Sequence, residues 1–443
     1  AYVQVLAETG HLPQEQTPSR YVYSQEEEVA LAQERFFAQA QTRHIGVWTG
    51  LEQGRLQRSL AARLSRSGDG AGTASVQPPL FYALETLPYR LGSAGSLLQR
   101  LALMRLLVAL LAACTVLFVF LFAREVLPST PWAWTTAALA VALQPVFGYE
   151  SSGVNPDALL AASSAALFYC IARAFRRGLD SRLAVAAGIA ICIGLSTKIT
   201  FAGLVPGALV GLTAIALRQR TLRSLRFPAI AAGIGLVPVA LITMLQGDAA
   251  ASDSTAGVDL VGQTASSTGS LVDRLAYMWQ FYLPRLPGMP DSFGMSALFQ
   301  GWLPGFTGLF GYAFAVAGHP TWVKAAVFAA TAIGAILATW WLIRARRQVR
   351  GRAAELVVYG LMAAGLLGGI ASTAYLSRSS GIPGYLIQVR YLFPLAALGG
   401  LGVAAAARFG GRRWGPAIAT AIVILILGQN VASQLLAISS WYA

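Results

Sequence analysis

Long runs without a single charge, separated by short arginine-rich connectors, constrain this chain more than any other feature. The runs cover roughly 106–123, 132–149, 158–172, 183–197, 199–217, 227–247, 325–343, 356–377, 391–407 and 414–436. Several reach the ~18–20 apolar residues that a helix needs to cross ~30 Å of hydrocarbon. In hydrocarbon a backbone must satisfy its own hydrogen bonds, so runs of this kind form helices. Only 12% of the 443 residues are charged, against about 25% in an ordinary soluble protein. The fold class expected is all-α: a polytopic helical membrane protein with about ten spans, plus interfacial helices outside the membrane.

The net charge of +14 is unevenly placed. The connectors "RAFRRGLDSR" (173–182), "RQRTLRSLR" (218–226), "RARRQVRGR" (344–352) and "RFGGRR" (408–413) recur at every second junction. With Arg124 they hold 17 of the 33 basic residues and, counting Glu125, Asp180 and Glu355, three acids. The whole excess of +14 therefore lies on one side, and the other side, with 16 basic and 16 acidic residues, is neutral. This is the positive-inside pattern. It places the Arg-rich loops in the cytoplasm and accounts for the charge without nucleic acid. Cys114, Cys170 and Cys192 all fall in the expected spans and read as small apolar packing residues, neither a disulfide framework nor a metal cluster.

The same alternation divides the chain into 1–105 outside, spans over 106–247, a second outer segment over 248–320, and spans over 321–443. A polar segment of a hundred residues does not usually reach the outside unaided. The chain also begins at Ala1 without a signal peptide. An upstream spanning helix is therefore expected, giving about eleven in all. Within 1–105, "SQEEEVALAQERFFAQA" (24–40) reads as a helix capped by Ser24, with Glu26–Glu28 as its solvated, acid-rich first turn. A Gly/Ser-rich link follows at 65–76. Within 248–320, a low-complexity stretch precedes "LVDRLAYMWQFYLPRLPGMPDSFG", an amphipathic helix expected on the outer leaflet with Trp279, Phe281 and Tyr282 as anchors.

"SVQPPLFYALETLPYRL" (75–91) is too short and mixed to span. Pro78 and Pro79 permit a helix start, because proline in the first turn forfeits no hydrogen bond. A short interfacial helix follows, with Leu80, Phe81, Leu84 and Leu87 near one face and Tyr82, Tyr89 and Arg90 at headgroup level. A loop with incidental prolines fits the spacing equally well. Arg90, Arg100 and Arg105 lie on the outer side, against the charge trend, where they either meet lipid phosphate or are simply tolerated.

Few residues have the chemistry for a site. Asp157 lies in "YESSGVNPDALL" beside Glu150 and Asn155, at the outer end of a span; it also reads as an ordinary first-turn acid, and Glu150 as a boundary marker. Lys198 is one of two lysines against 31 arginines. In the outer turn "LSTKITF" it is suited to a phosphate contact or to snorkelling. Arg390 in "QVRYLFP" suits phosphate geometry or interfacial anchoring, with Tyr391 able to stack on sugar or lipid. The three histidines are scattered and suggest no metal site.

"QPPLFY" (77–82) resembles the PP-L-Y motif of the GT-C superfamily of membrane glycosyltransferases. The chain as a whole is similar to an uncharacterised bacterial family of predicted multi-pass membrane proteins assigned to that superfamily. The similarity runs through "AYVQVLAETGHLP" (1–13), "QPPLFYAL" (77–84), "NPDALLAA" (155–162), "GLSTKITFAGLVP" (194–206) and "RYLFPLAAL" (390–398). It implies an enzyme of the bacterial plasma membrane, working at its outer face with 1–105 and 248–320 extracytoplasmic. Such an enzyme transfers a sugar from a polyprenyl-phosphate donor, with inversion, to a glycan, protein or lipid acceptor. It implies Asp157 and Glu150 as catalytic candidates, with the main acid expected upstream of Ala1. Lys198, Arg390, Asn155, Gln77 and Tyr391 are implied as donor-binding candidates. The cofactor stays open, a divalent metal among the candidates. Two other readings remain: a flippase for a lipid-linked sugar, and a non-catalytic envelope scaffold of the same fold.

Overall fold

The computed structural model describes residues 1–13, 22–35, 48–62, 64–70, 74, 77–246, 270–293, 302, 305, 321–344, 346–379 and 388–442. Among the described residues it is helical throughout, without strands. The low-complexity stretch 248–269, the link residues 71–73 and 75–76, most of the outer loop 377–390 and the C-terminal part of the helix expected over 24–40 lie outside the described residues.

The helices are α1 (Tyr2–Thr9), α2 (Gln25–Gln33), α3 (Gly50–Ala61), α4 (Leu80–Leu91), α5 (Leu97–Val126), α6 (Pro131–Ala142), α7 (Pro145–Glu150), α8 (Asp157–Arg177) and α9 (Ser181–Thr197). A 3-10 segment (Ile199–Leu204) leads into α10 (Val205–Arg218). Then come α11 (Arg226–Gly235), α12 (Val237–Gln246), α13 (Leu271–Tyr282), α14 (Thr321–Arg344), α15 (Arg346–Gly351) and α16 (Ala353–Ser379). A 3-10 segment (Val389–Leu395) precedes α17 (Ala396–Ala407) and α18 (Gly411–Tyr442).

Among the described residues, five helical stretches are long and apolar enough to cross a membrane: Leu97–Val126, Asp157–Arg177, Ile199–Arg218, Ala353–Leu376 and Val389–Leu435. Ser181–Thr197 and Ala332–Arg344 are shorter apolar helices. Two of the expected spans are divided, and proline explains both breaks. Pro145 opens α7 and ends α6 before it; Pro238, in the first turn of α12, separates it from α11. Proline disfavours helical backbone in the residue before it and lacks the N–H that a continuing helix needs, but fits a first turn.

The core forms where small residues let helices meet. α8 packs between α5 and α9, α17 packs on α6, and α10 with its 3-10 lead packs on α16. Gly203, Gly207 and Gly211 place bare backbone against α16 once per turn. A Cβ at Gly203 would sit 2.7 Å from the Gly365 carbonyl oxygen, and one at Gly207 2.6 Å from the Met362 nitrogen. This is the small-residue packing by which apolar helices approach closely. It also fixes where the chain just before Gly203, including Lys198, must lie.

The N-terminal segment docks on the start of α5. Ser24 caps α2 in a reciprocal box with Glu27, as its sequence position predicts. Glu26, however, is not solvated. It is buried and ion-paired with the fully buried Arg100 of α5, whose guanidinium also lies 5.0 Å from the Tyr89 ring. An apolar-packed arginine at that position requires a carboxylate partner, so Arg100 is not available for lipid phosphate. α4 also turns differently from the expectation. Phe81, Tyr82 and Tyr89 face inward, and Tyr2 stacks on Tyr82 at 3.9 Å; Leu84, Leu87 and Leu91 form the exposed face. The helix over 271–282 packs on α16: Phe281 is buried, the Tyr282 hydroxyl donates to the Leu367 carbonyl, and Trp279 alone of the three keeps substantial exposure.

Candidate functional site

Three connections between helices converge at the N-terminal end of α8. α7 ends on Glu150. The turn 151–156 carries Asn155, whose side-chain oxygen accepts from the Asp157 backbone N–H at 3.0 Å and so starts α8. Proline at 156 permits that start. Lys198 closes α9, its extended backbone ending the helix before the 3-10 segment. Arg390 and Tyr391 begin the 3-10 segment that packs on α7 and α8.

The Lys198 ammonium donates to Asp157 Oδ1 at 2.7 Å. Asp157 has no exposure at all and Lys198 8%. Arg390 lies looser, its Nη1 3.8 Å from Glu150 Oε1 and its Nε 3.9 Å from Asp157 Oδ2. The Asn155 side-chain amide donates to Glu150 Oε2. Tyr391 lies beneath both cations, 4.7 Å from the Lys198 nitrogen and 5.5 Å from the Arg390 guanidinium carbon, within cation–π range. Six of the seven candidates named from the sequence are thus brought together: Glu150, Asn155, Asp157, Lys198, Arg390 and Tyr391. Gln77 joins none of these hydrogen bonds or ion pairs; its side-chain oxygen is buried without a partner.

This geometry decides two of the open alternatives. Lys198 does not snorkel, because its ammonium is enclosed and paired. Asp157 is more than a first-turn acid, because it is the buried counter-ion of a lysine from another helix.

Two polar atoms of the cluster, Asp157 Oδ2 and Arg390 Nε, are buried with no hydrogen-bond partner among the described residues. They face each other at a distance too long for a hydrogen bond. The Arg390 side chain keeps 31% exposure, and Glu150 12%, so the cluster opens on the arginine side. Burial raises the Glu150 carboxyl above its ordinary value. Arg390 pulls it down, Asp157 pushes it up, and Lys198 and Asn155 pull it down more weakly; the net direction is upward.

The donor set does not suit a divalent metal. Its two carboxylates already face two cations, and among the described residues no three His, Cys, Asp or Glu side chains gather into a metal-binding group.

On α4 the sequence reading set Tyr82 at headgroup level and did not single out Glu85. Tyr82 lies close enough for the Asp157 charge to add to the upward shift of its hydroxyl, which burial chiefly causes. Glu85 is wholly buried, both carboxyl oxygens lack a hydrogen-bond partner among the described residues, and burial pushes it up to about 8. Its signal was present: it falls one turn from both Phe81 and Tyr89, on the face that α4 buries.

No curated protein and no solved structure matches this chain. The model of the family described as "Predicted membrane protein (DUF2142)" matches residues 49–398, which runs from α3 to the first residues of α17 and includes every residue of the cluster. That match covers most of the chain, and the protein belongs to the DUF2142 family of predicted membrane proteins.

Proposed function

We propose that the protein is a GT-C-like glycosyltransferase that takes a sugar from a polyprenyl-phosphate donor at the outer face of a bacterial plasma membrane. The observation that carries the reading is the meeting of Lys198 and Arg390 over one aromatic ring, with Arg390 Nε buried and without a hydrogen-bond partner among the described residues. Such a pair suits the phosphate of a lipid-linked donor. Arginine offers a fork of donors and lysine a point charge, and both would stabilise the phosphate as it leaves. Asp157 positions Lys198. Glu150, held more loosely, is the carboxylate able to exchange a proton. Tyr391 offers a face to sugar or prenyl chain.

In this reading the chain crosses the membrane about ten times. The broken pairs α6/α7 and α11/α12 act as interrupted crossings, and the Arg-rich connectors are cytoplasmic. The leucine face of α4 rests in the outer leaflet, and the acceptor is an envelope glycan, protein or lipid.

A second reading, transport of a lipid-linked sugar, draws on the same cluster. Buried ion pairs at helix breaks are also how transporters build their sites. One experiment separates the two. The protein is reconstituted in liposomes with radiolabelled polyprenyl-phosphate sugars, and sugar release or transfer is followed beside Asp157→Asn and Arg390→Ala. Turnover in the wild type, lost in both folded variants, supports the transferase. Saturable movement of the donor across the bilayer without turnover supports the transporter.

A further inference from the structure

The cluster contains two carboxylates and two cations, so with every group ionised it is neutral before any substrate arrives. A phosphodiester entering it adds one negative charge. In a largely buried site an uncompensated charge is strongly opposed. Something must offset it.

The candidates are few. Among the described residues, the elements packed on Glu150 and α7 bring few charged or titratable groups. The 3-10 segment after Gln388 brings Arg390 and Tyr391, the start of α8 brings Asp157, and the end of α9 brings Lys198. α18 faces α7 with the uncharged Asn430 and Gln434; α6, also packed on α7, carries no titratable side chain in Pro131–Ala142. Tyr149 is its neighbour on α7 itself. Asp157 is the tightly held acid, at 2.7 Å from its lysine. Glu150 is the loosely held one, 3.8 Å from the guanidinium and outside hydrogen-bond range.

We propose that the site binds a phosphodiester together with one proton, which Glu150 takes up as Arg390 turns from its carboxylate to the phosphate. This rests on the reading of the cluster as a donor-phosphate site. The balance is simple: the anion adds one negative charge, the proton on Glu150 removes one, and Lys198, Arg390, Asp157 and the phosphate remain as two cations with two anions. The upward shift of Glu150 by burial lowers the cost of that protonation. Asn155 still donates to the Glu150 oxygen that stays unprotonated. The substrate class that follows is a diester carrying a single fixed charge, rather than a phosphomonoester dianion, which would need a second proton.

The test uses methyl farnesyl phosphate, a phosphodiester that does not itself titrate near neutral pH. Binding to the protein in nanodiscs is measured by calorimetry at pH 7 in two buffers of different ionisation enthalpy, which counts protons directly. The expected result is about one proton taken up per ligand, and affinity that weakens as pH rises, by up to about tenfold per unit. In Glu150→Gln, binding persists without proton uptake and its pH dependence flattens. Binding with no proton uptake in the wild type overturns the proposal while leaving the donor-phosphate reading intact, and it does so whether or not the variant folds. Uptake that persists unchanged in Glu150→Gln also overturns it. No binding by the wild type overturns the donor-phosphate reading and this inference with it.

Discussion

The two ends of α8 both bury a carboxylate among cations, but in opposite ways. At the N-terminal end, Asp157 belongs to the helix and the cations come from elsewhere in the chain, one of them enclosed. At the C-terminal end, Arg173, Arg176 and Arg177 belong to the helix, and the buried acid is Glu125 of α5, within 3.0–3.7 Å of all three. Acid at the start and bases at the end both favour the helix dipole. The difference lies in charge and exposure. The first cluster pairs two acids with two cations. The second sets three partly exposed arginines on one acid and keeps an excess of positive charge near solvent. A single helix thus joins a balanced, enclosed cluster and an unbalanced, more open one.

That contrast can be broken most directly at Lys198. Lys198→Met removes the one hydrogen-bonded cation of the buried Asp157 and leaves it only the long Arg390 contact, and we expect a loss of about 3–5 kcal/mol in denaturant unfolding in detergent. Adding Asp157→Asn to it should restore most of the loss. A cost no larger than that of Arg176→Met would show that the two ends do not differ.

Glu125→Gln tests the other end. It leaves three arginines without their shared acid, and the expected cost is about 1–3 kcal/mol. Because those arginines are partly exposed, molar salt should remove much of this cost while leaving that of Lys198→Met nearly unchanged. Equal salt sensitivity at both ends would contradict the assigned difference in enclosure.

Glu85 sharpens the comparison from outside both clusters, as a buried acid with no cation. Its folded-state value of about 8 stands above an ordinary 4.5, so the folded protein holds this proton more tightly than the unfolded chain. The stability that Glu85 contributes is complete below about 4.5, declines as pH rises, and is lost above about 8. Glu85→Gln should therefore raise the melting temperature by several degrees at pH 8.5 and change it little at pH 4.5, as followed by tryptophan fluorescence. An unchanged melting curve at pH 8.5 would mean that Glu85 finds a partner.

The smallest effect on stability is expected at Arg390. Its contacts are long, and Glu150 can offset the lost cation by taking up a proton, so Arg390→Ala should cost only about 1 kcal/mol. The same change should abolish binding of methyl farnesyl phosphate. A variant that binds normally would remove Arg390 from the site.

Much of the site was legible because its residue types are rare where they occur. A lysine in a chain of arginines, an acid opening an apolar helix and an arginine before an aromatic at a span boundary all stand out from 12% charged residues. What misled the reading was the assumption that polar residues near a membrane end face water or headgroups. Glu26 and Arg100 did not, because each supplies the charge that lets the other be buried. The divided spans were also marked in advance by Pro145 and Pro238. Periodicity counted those runs as continuous, since proline is apolar and carries no charge.

The sequence by itself determined the helical, membrane-protein character of the chain and local features such as the helix start that Ser24 caps. These depend on local backbone chemistry and on hydropathy, which act over a few residues at a time. Only the tertiary structure decided which acid meets which cation. Asp157 and Lys198 stand 41 positions apart, and Arg390 joins them from much farther along the chain. Their meeting depends on how α8, α9 and the 3-10 segments pack, with the glycine stripe at 203–211 seating the chain beyond Lys198 against α16. Helix packing is set by the shapes of whole faces, and no spacing along the sequence encodes it.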